Sequence, residues 1–551
     1  MNKVSLKGVR KFGSVGGDVR RPGQWWRLSC KNFLSTLDFV RNKGLDNLAN
    51  EALSSTSHSG TFSVWRRSHQ QLSGRTGIHW TPVVIVLLRE DEAMRNHPGM
   101  IAKQLTPHFY QILIDRGWRR AGSYIYHPDM ERTCCPQYTI RLDTQNFKSS
   151  KKQRQVVNRF NRFLETGFKP GESMGFEQGK SNQKKKGPPR NTIEDLHKFE
   201  VGTKEKHDVA HRFETELVPA QATQESFQLY KSYQISIHKD EPEDCNMESF
   251  DRFLCSNTFV ITPIKYANAE AGKRGVKEGK LPRNYGAYHL HYRIDGKLVG
   301  ISVLDIVPHG VSSVYFIWDP AWAWASLGKL SALYEVSLVK RLAEAGAGQG
   351  MRWAYLGYWV PSCKKMIYKS EYMPSFLLDP GTNEYHELTP SLESFLKAHP
   401  SGYFPFKDVK PEPNNPGPIE VVIKTSTLTK VSNMDSSAIG QDADEDEKES
   451  DWKSDSESEL EGFPSPPPPS FADPSSFSEE EVDQVLVLPI MKRGILGRRQ
   501  LYTVSELEFV ASPFVRQTIR QFLAAMGKEW VACANDQLQG NVPKKAVIFI
   551  G

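Results

Sequence analysis

Cysteine is scarce in this 551-residue chain: there are seven, at positions 30, 134, 135, 245, 255, 363 and 533, an odd number with no Cys-x-x-Cys pair. So sparse a set argues against a disulfide framework and fits a reducing compartment. Long apolar runs are missing as well. Clean runs such as Val83 to Leu88 fall far short of the roughly 20 residues a bilayer-spanning helix needs, so no transmembrane span is read. The opening MNKVSLKGVRKFG is basic with no apolar stretch behind it, which predicts no secretory leader and leaves a mitochondrial presequence as the lesser alternative. Acidic residues are thin at one end only. Residues 1–190 hold 33 Lys and Arg against 14 Asp and Glu, a surplus of 19, whereas the whole chain carries +7, so the remainder is 12 negative. The basic end suits a polyanion or is a solvated surface, and composition leaves both open.

What is present suffices for large cores. Hydrophobic residues make up 38%, with 28 Phe, 19 Tyr and 12 Trp, and the length suggests two to four folding units, which excludes a single small binding module. Residues 1–98 show no sustained period and are assigned no fold. Thr106-Pro107 then reads as an N-cap and first-turn pair, with Phe109, Tyr110, Leu113 and Ile114 at helical spacing and Gly117 placed to end the helix. Strands are expected at 123–126 and 138–142. A second helix at 151–164 sets Val156, Phe160, Phe163 and Leu164 on one face and Lys151, Arg154 and Arg162 on the other, a candidate phosphate track. Residues 167–215, with Lys184-Lys185-Lys186 and Pro188-Pro189, read as a flexible basic insertion. A helix at 222–237 follows.

The pattern is clearest over 286–360. Two β-rich runs flank Asp295-Gly296, a strong hairpin signal, and a strand at 311–318, a helix at 326–345 and a strand at 352–360 follow. This order is mixed α/β, as in acyltransferase-type folds. Residues 435–483 are acidic and rich in Ser and Pro, too poor in apolar surface to order themselves, and Phe514, Val515, Ile519, Phe522, Leu523 and Met526 suggest a small C-terminal helix.

Several clusters have a chemical and a structural reading. Cys134-Cys135 could ligate a metal if further ligands arrive from elsewhere, or could pack as small apolar residues. His238, Asp240 and the acids after them form a knot at a helix end that is a site or a solvated terminus. The helix near Ser326 opens with Gly328-Lys329 and could hold a phosphate on its free N–H groups. Asp305, in the apolar strand GISVLDIVP, needs a partner, either a structural Arg or Lys or a substrate cation. Lys364, Lys365 and Lys369 alternate with Tyr368 and Tyr372, which suits a nucleic-acid end with exposed bases or an ordinary amphipathic loop.

The strings FYQILIDRGWRRAGSYIYHPD, RTCCPQYTIRLD, QRQVVNRFNRFL, SFQLYKSYQISIHKDEPED, YHLHYRIDGKLVGISVLDIVPHGVSSVYFIWDP, SLGKLSALYE and SCKKMIYKSEYMPSFLLDP together resemble arginyl-tRNA protein transferases over about residues 100–380. The resemblance implies an α+β chain with a GNAT-like acyltransferase core. It implies arginyl-tRNA as donor, proteins with N-terminal Asp, Glu or oxidised Cys as acceptors, a ubiquitin ligase acting downstream, a cytoplasmic and also nuclear location, and no membrane. The expected partition is an unmatched 1–98, an N-terminal transferase domain 99–166, the insertion 167–215, a catalytic domain 216–410, an acidic linker 411–483 and a C-terminal element 484–551.

Such a transferase needs no cofactor for transfer, since an aminoacyl ester is already activated. No nucleophilic Ser or Cys triad is required, and none is visible. The guanidinium of the donor needs a carboxylate, here Asp305 with Glu335 as the alternative, and Lys364, Lys369 and Tyr368 are set near the acceptor or the tRNA end. Tyr372, Gly328, Lys329, His238, Asp240, Lys151, Arg154 and Arg162 complete the expected substrate and tRNA contacts. Family members carry a Cys-x-x-Cys pair that joins an adjacent pair matching Cys134-Cys135 around zinc or an iron–sulfur cluster. This chain lacks the Cys-x-x-Cys, so the site is expected not to assemble. Departures at Leu330, Tyr334, Lys365, Ile367 and Ser370 touch local contacts. A coenzyme A-dependent N-acetyltransferase would require a Q/R-x-x-G-x-G/A loop that SLGKLSALYE does not supply, and a non-catalytic RNA-binding scaffold rests only on the basic N-terminal third.

Overall fold

The computed structural model describes residues 84–87, 99–131, 133, 135–172, 191–202, 208–406, 409, 467–483, 485–489, 502–506, 513–527 and 547–550. Val84–Leu87 (β1) and Gly99–Gln104 (β2) lead into Pro107–Asp115 (α1), Arg119–Ala121 (β3), Tyr124–Tyr126 (β4) and Tyr138–Asp143 (β5). Lys151–Thr166 (α2) and Thr192–Leu196 (α3) precede Phe213–Pro219 (β6), Gln224–Tyr233 (α4), which runs on into a π-turn at Gln234–His238, and Met247–Phe250 (α5). After Thr262–Pro263 (β7) and Ala269–Lys277 (α6) come Asn284–Ile294 (β8), Lys297–Val307 (β9), Gly310–Trp318 (β10), Leu327–Glu344 (α7), Trp353–Trp359 (β11), Ser375–Leu378 (β12), Tyr385–Glu387 (β13) and Pro390–Ala398 (α8). The C-terminal part supplies Glu479–Asp483 (α9), Leu486–Pro489 (β14), Tyr502–Thr503 (β15), Pro513–Met526 (α10) and Val547–Ile550 (β16).

Local chemistry accounts for the helix starts. The Thr106 hydroxyl accepts the Phe109 N–H at 3.2 Å with Pro107 in the first turn, and Gly117 leaves α1 at φ 91°. Ser150 and Gln153 form a reciprocal capping box on α2. Asp295 and Gly296, both at positive φ, make the tight turn between β8 and β9.

The main sheet runs β13-β12-β5-β11-β10-β9-β8-β6, with β7 added on β8. Helices α2, α3, α7 and α8 cover one face, where Leu304, Ile306 and Val311 meet Leu330, Val336 and Phe160. On the other face α4 and α5 pack on Ile301, Val303 and Ile317. The β10–α7–β11 crossover makes the one parallel pair of this sheet among the described residues. That pair is short: Gly310–Ser312 partner Trp353–Tyr355, and beyond them the strands part. A side chain at Gly310 would strike the Trp353 carbonyl, so glycine is required where the two strands touch.

A second sheet, β15-β14-β16-β1-β2-β4-β3, joins strands from both ends of the chain. Its core places Phe109, Leu113, Ile114 and Trp118 against Phe477, Val482, Ile519, Phe522 and Leu523, and the Trp118 ring stacks on Phe471 at 5.9 Å. The chain is therefore mixed α+β.

The described residues reach into three of the expected segments. Within 167–215, residues 173–190 and 203–207 lie outside the described residues, but α3 buries Leu196 in the main core and Glu200 is buried beside it. Within 1–98, only β1 is described, and it is a strand of the second sheet. Residues 411–466 of the acidic linker lie outside the described residues, whereas Phe471 and Phe477 pack into or against the second core.

Candidate active site

Where β10 and β11 part, they leave a cavity of about 710 Å³. Its walls come from the diverging strand halves, Ser312–Phe316 and Leu356–Tyr358, from the first turns of α7, and from the 363–372 segment. The π-turn closes another side with Ile237 and His238, and Tyr110, Arg119, Arg120 and Tyr126 form the far end. A cleft at the carboxyl ends of neighbouring strands, beside a helix N-terminus, is where open α/β sheets hold ligands. Extra residues in β10 around Val314 and in β11 around Gly357 shift the pairing to the neighbouring strands and turn both away from each other.

Glu335 is 2% exposed and lines this cavity from α7. Burial pushes its carboxyl up to about 7, against opposing hydrogen bonds from Ser313, at 3.3 Å, and Ser302. No cation lies within ion-pair distance of it among the described residues. Lys369 faces the same space, its Nζ donating to the Tyr358 carbonyl at 2.8 Å, and burial, then the charge of Arg119, lowers its ammonium to about 8. Gly328 and Lys329 line the cavity where α7 begins, after Ser326 at φ 57° without a side-chain cap. Lys329 also pairs with Glu371 at 3.1 Å. Tyr368, half-buried, and Tyr372, buried with its hydroxyl on the Lys329 carbonyl at 3.0 Å, line the wall, and Lys364 is exposed at the rim. His238 lines the cavity, bonded to the Tyr315 hydroxyl at 3.1 Å. Asp240, which accepts from Gln234 at 2.9 Å, is outside it.

Asp305 corrects the reading of the sequence. It is completely buried, and both its oxygens are taken by Arg120: Nε donates to Oδ2 at 2.7 Å and Nη2 to Oδ1. Burial raises the Asp305 carboxyl and Arg120 opposes the rise. A carboxylate held bidentately by its own chain is not offered to a substrate guanidinium, so the open buried carboxylate of the cavity is Glu335.

Lys151, Arg154 and Arg162 are exposed along the outer face of α2. From the same helix Arg159 reaches the cavity rim, donating to the Ser326 hydroxyl at 2.8 Å. Cys134 lies outside the described residues. Cys135 is half-buried, with Ser362 Oγ donating to its sulfur at 3.5 Å. Among the described residues no three His, Cys, Asp or Glu side chains converge as metal ligands. Sequence reasoning missed Arg119, Arg120, Tyr110 and Tyr126. The available signal was the Arg pair in the apolar string GWRRAGSYIY, since buried cations are rare without a specific use. Among the described residues no helix is long and apolar enough to cross a membrane.

Two family models match the chain: arginine-tRNA-protein transferase, N terminus, over residues 88–155, and the C terminus of the same family over 225–379. The chain is similar to arginyl-tRNA–protein transferase 1 of Drosophila melanogaster, 28% identical over 401 residues that span 55% of this chain and 79% of the fly protein. The Saccharomyces cerevisiae protein of the same name is 30% identical over 298 residues, 53% of each chain. An aspartate/glutamate leucyltransferase of Pseudomonas fluorescens is 24% identical over 273 residues, covering 49% of this chain and 80% of the bacterial one.

Proposed function

The chain belongs to the arginyl-tRNA–protein transferase family, and on that premise we propose that it moves arginine from arginyl-tRNA to the N-terminal α-amine of proteins that begin with Asp or Glu. The observation that carries this is the cavity itself. Both matched segments meet in it, the N-terminal one through Tyr110, Arg119, Arg120 and Tyr126 and the C-terminal one through the remaining walls, and it holds a buried carboxylate, Glu335, with no ion pair among the described residues. The name of the Pseudomonas relative pairs Asp and Glu with leucine transfer, which supports the acceptor class.

The reaction is aminolysis of an ester. The acceptor nitrogen, as free amine, bonds to the arginyl carbonyl carbon, the bond from that carbon to the ribose oxygen breaks, and the amine proton leaves with the ribose hydroxyl or to water. The protein has to align the partners and stabilise the developing oxyanion, and no covalent intermediate on a side chain is needed. The donor lies along α7. Its terminal phosphate sits at the helix start by Gly328, Lys329 and Arg159, where the helix dipole and Arg159, with Lys329 shared with Glu371, favour an anion. Glu335 lies eight residues on, about 12 Å at 1.5 Å per residue. That span matches a 3′-terminal ribose carrying an extended arginyl chain, so the guanidinium meets Glu335 beside Ser313. The basic outer face of α2 holds the tRNA backbone further out, a positioning contact without sequence readout.

We place this reaction in the cytoplasm and nucleus, upstream of a ubiquitin ligase that reads the added arginine. The test is transfer of labelled arginine from charged tRNA to peptides that differ only in their first residue. Labelling of Asp and Glu peptides and not of Ala peptides is expected, and equal labelling of Ala peptides would refute it.

A further inference from the structure

The donor site just described leaves two cations of the cavity without a task. Arg119 is 5% exposed, and only its Nη1 is bonded, to the backbone carbonyls of Trp118, at 2.7 Å, and Ile114, at 3.1 Å. Its Nε and Nη2 are buried without a hydrogen bond of good geometry, their nearest polar neighbour being the Tyr385 hydroxyl, which interacts with the guanidinium and likewise lacks a bond of good geometry. The guanidinium lies 5.4 Å from the Tyr358 ring centroid. On the same tyrosine, the Lys369 ammonium donates to the main-chain carbonyl at 2.8 Å. Neither cation has a carboxylate within ion-pair distance among the described residues, although Arg120, the next residue along, has Asp305.

Two like charges around one residue, largely withdrawn from water, are costly unless an anion joins them. Burial first, and then the charge of Arg119, lowers the Lys369 ammonium, against a smaller opposing pull from Glu335. Glu335, whose charge Lys369 feels across the cavity, is left to the donor's guanidinium, and the donor's phosphate already has the start of α7. What remains is the acceptor.

We propose that Lys369 and Arg119, on either side of Tyr358, form the seat for the side-chain carboxylate of the acceptor's first residue, and so set the Asp/Glu specificity. This rests on the function proposed above. Lys369 meets the carboxylate directly from the cavity wall, and Arg119, at its far end, adds its charge. The parting of β10 and β11 then has a purpose. Glu335, Lys369 and Arg119 line one cavity, so that a donor anchored on Glu335 and an acceptor anchored on Lys369 and Arg119 meet at one reacting carbon.

The experiment uses the full chain and three peptides identical except for a first residue of Asp, Asn or Leu, with two readouts. Binding of each labelled peptide to the tRNA-free protein reads the seat, and arginine transfer reads the function. The wild type is expected to bind the Asp peptide above the Asn peptide. Lys369→Met and Arg119→Met should each reduce that preference by roughly thirtyfold or more, the effect of removing one partner of a buried charged pair, while the KM for arginyl-tRNA stays unchanged. Lys369→Glu should reverse the preference toward a peptide beginning with Lys, a gain that misfolding cannot produce. An unchanged Asp-to-Asn ratio in the folded variants overturns the seat, as does a raised KM for arginyl-tRNA with the peptide ratio intact, which would make it a phosphate site. Selective Asp-peptide binding by a wild type that transfers no arginine would instead refute the function and keep the seat.

Discussion

Replacing Glu335 by Gln keeps the shape of the side chain and most of its hydrogen bonds while removing its charge, and the structure predicts opposite effects on stability and activity. Burial raises the carboxyl from 4.5 to about 7. At 1.36 kcal/mol per pH unit, ionising it inside the fold costs about 3 kcal/mol once the pH is above 7. The sign follows from the raised folded value: the relative stability is fully present below 4.5 and is lost as the pH rises through 7. At pH 5.5 the loss is only about 1.4 kcal/mol. The Gln variant does not titrate, so its stability relative to the wild type should grow by about 2 kcal/mol between pH 5.5 and pH 8, whatever constant offset the amide brings. Urea unfolding of both proteins at the two pH values measures this, and groups that do not interact with Glu335 cancel in the difference, which leaves only its weak coupling to Lys369. At pH 8, where wild-type Glu335 is ionised, arginine transfer by the variant should be lower than that of the wild type by roughly thirtyfold or more, because the guanidinium loses its buried charged partner. A stability difference that is flat with pH would show that Glu335 is not held in its neutral form, and unchanged transfer would remove it from the donor site.

Four further outcomes are expected. Asp305→Ala strands the Arg120 guanidinium in the core and should cost about 3–5 kcal/mol in urea unfolding; a variant as stable as the wild type would contradict the ion pair. Changing Lys151, Arg154 and Arg162 together to Ala should weaken binding to all tRNAs alike and flatten the slope of log affinity against log salt by about two to three, and a wild-type slope would refute the phosphate track. Phe471→Ala removes the ring stacked on Trp118 and should destabilise the second core by about 1–3 kcal/mol; no change would mean that the C-terminal segment does not brace it in solution. Metal analysis of the purified chain should find less than one tightly held zinc or iron–sulfur equivalent, with a gain on grafting a Cys-x-x-Cys segment, and one tight equivalent in the ungrafted chain would reveal ligands beyond Cys134 and Cys135.

The candidate site was partly legible. Glu335, Lys369, Tyr368 and Lys329 lie in strings that carry the family resemblance, and all of them line one cavity. Arg119 and Arg120 sit in such a string too, yet nothing local distinguishes a structural arginine from one left for a substrate. Asp305 shows the difficulty most clearly. An acid in an apolar strand must have a partner, but whether that partner is the chain's own Arg120, 185 residues earlier, or a ligand depends on how the second sheet docks on the first.

By itself the sequence determined what short-range chemistry decides. A hydroxyl three residues from an N–H caps α1 at Thr106 and α2 at Ser150, and Asp295-Gly296 alone can take the positive φ angles that fold β8 back onto β9. Amphipathic spacing likewise set the buried and charged faces of α2 before any neighbour was known. Only the tertiary structure decided that β10 and β11 touch for three residues and then part, that strands from both ends of the chain share a sheet, and which of two buried carboxylates is left open. A cap or a turn is closed by atoms a few residues apart, whose encounter costs little chain entropy and leaves a readable signature. A strand pairing or a buried ion pair is selected by the packing of the whole core, in which many partners of the same chemistry compete and distance along the chain carries no information about the winner.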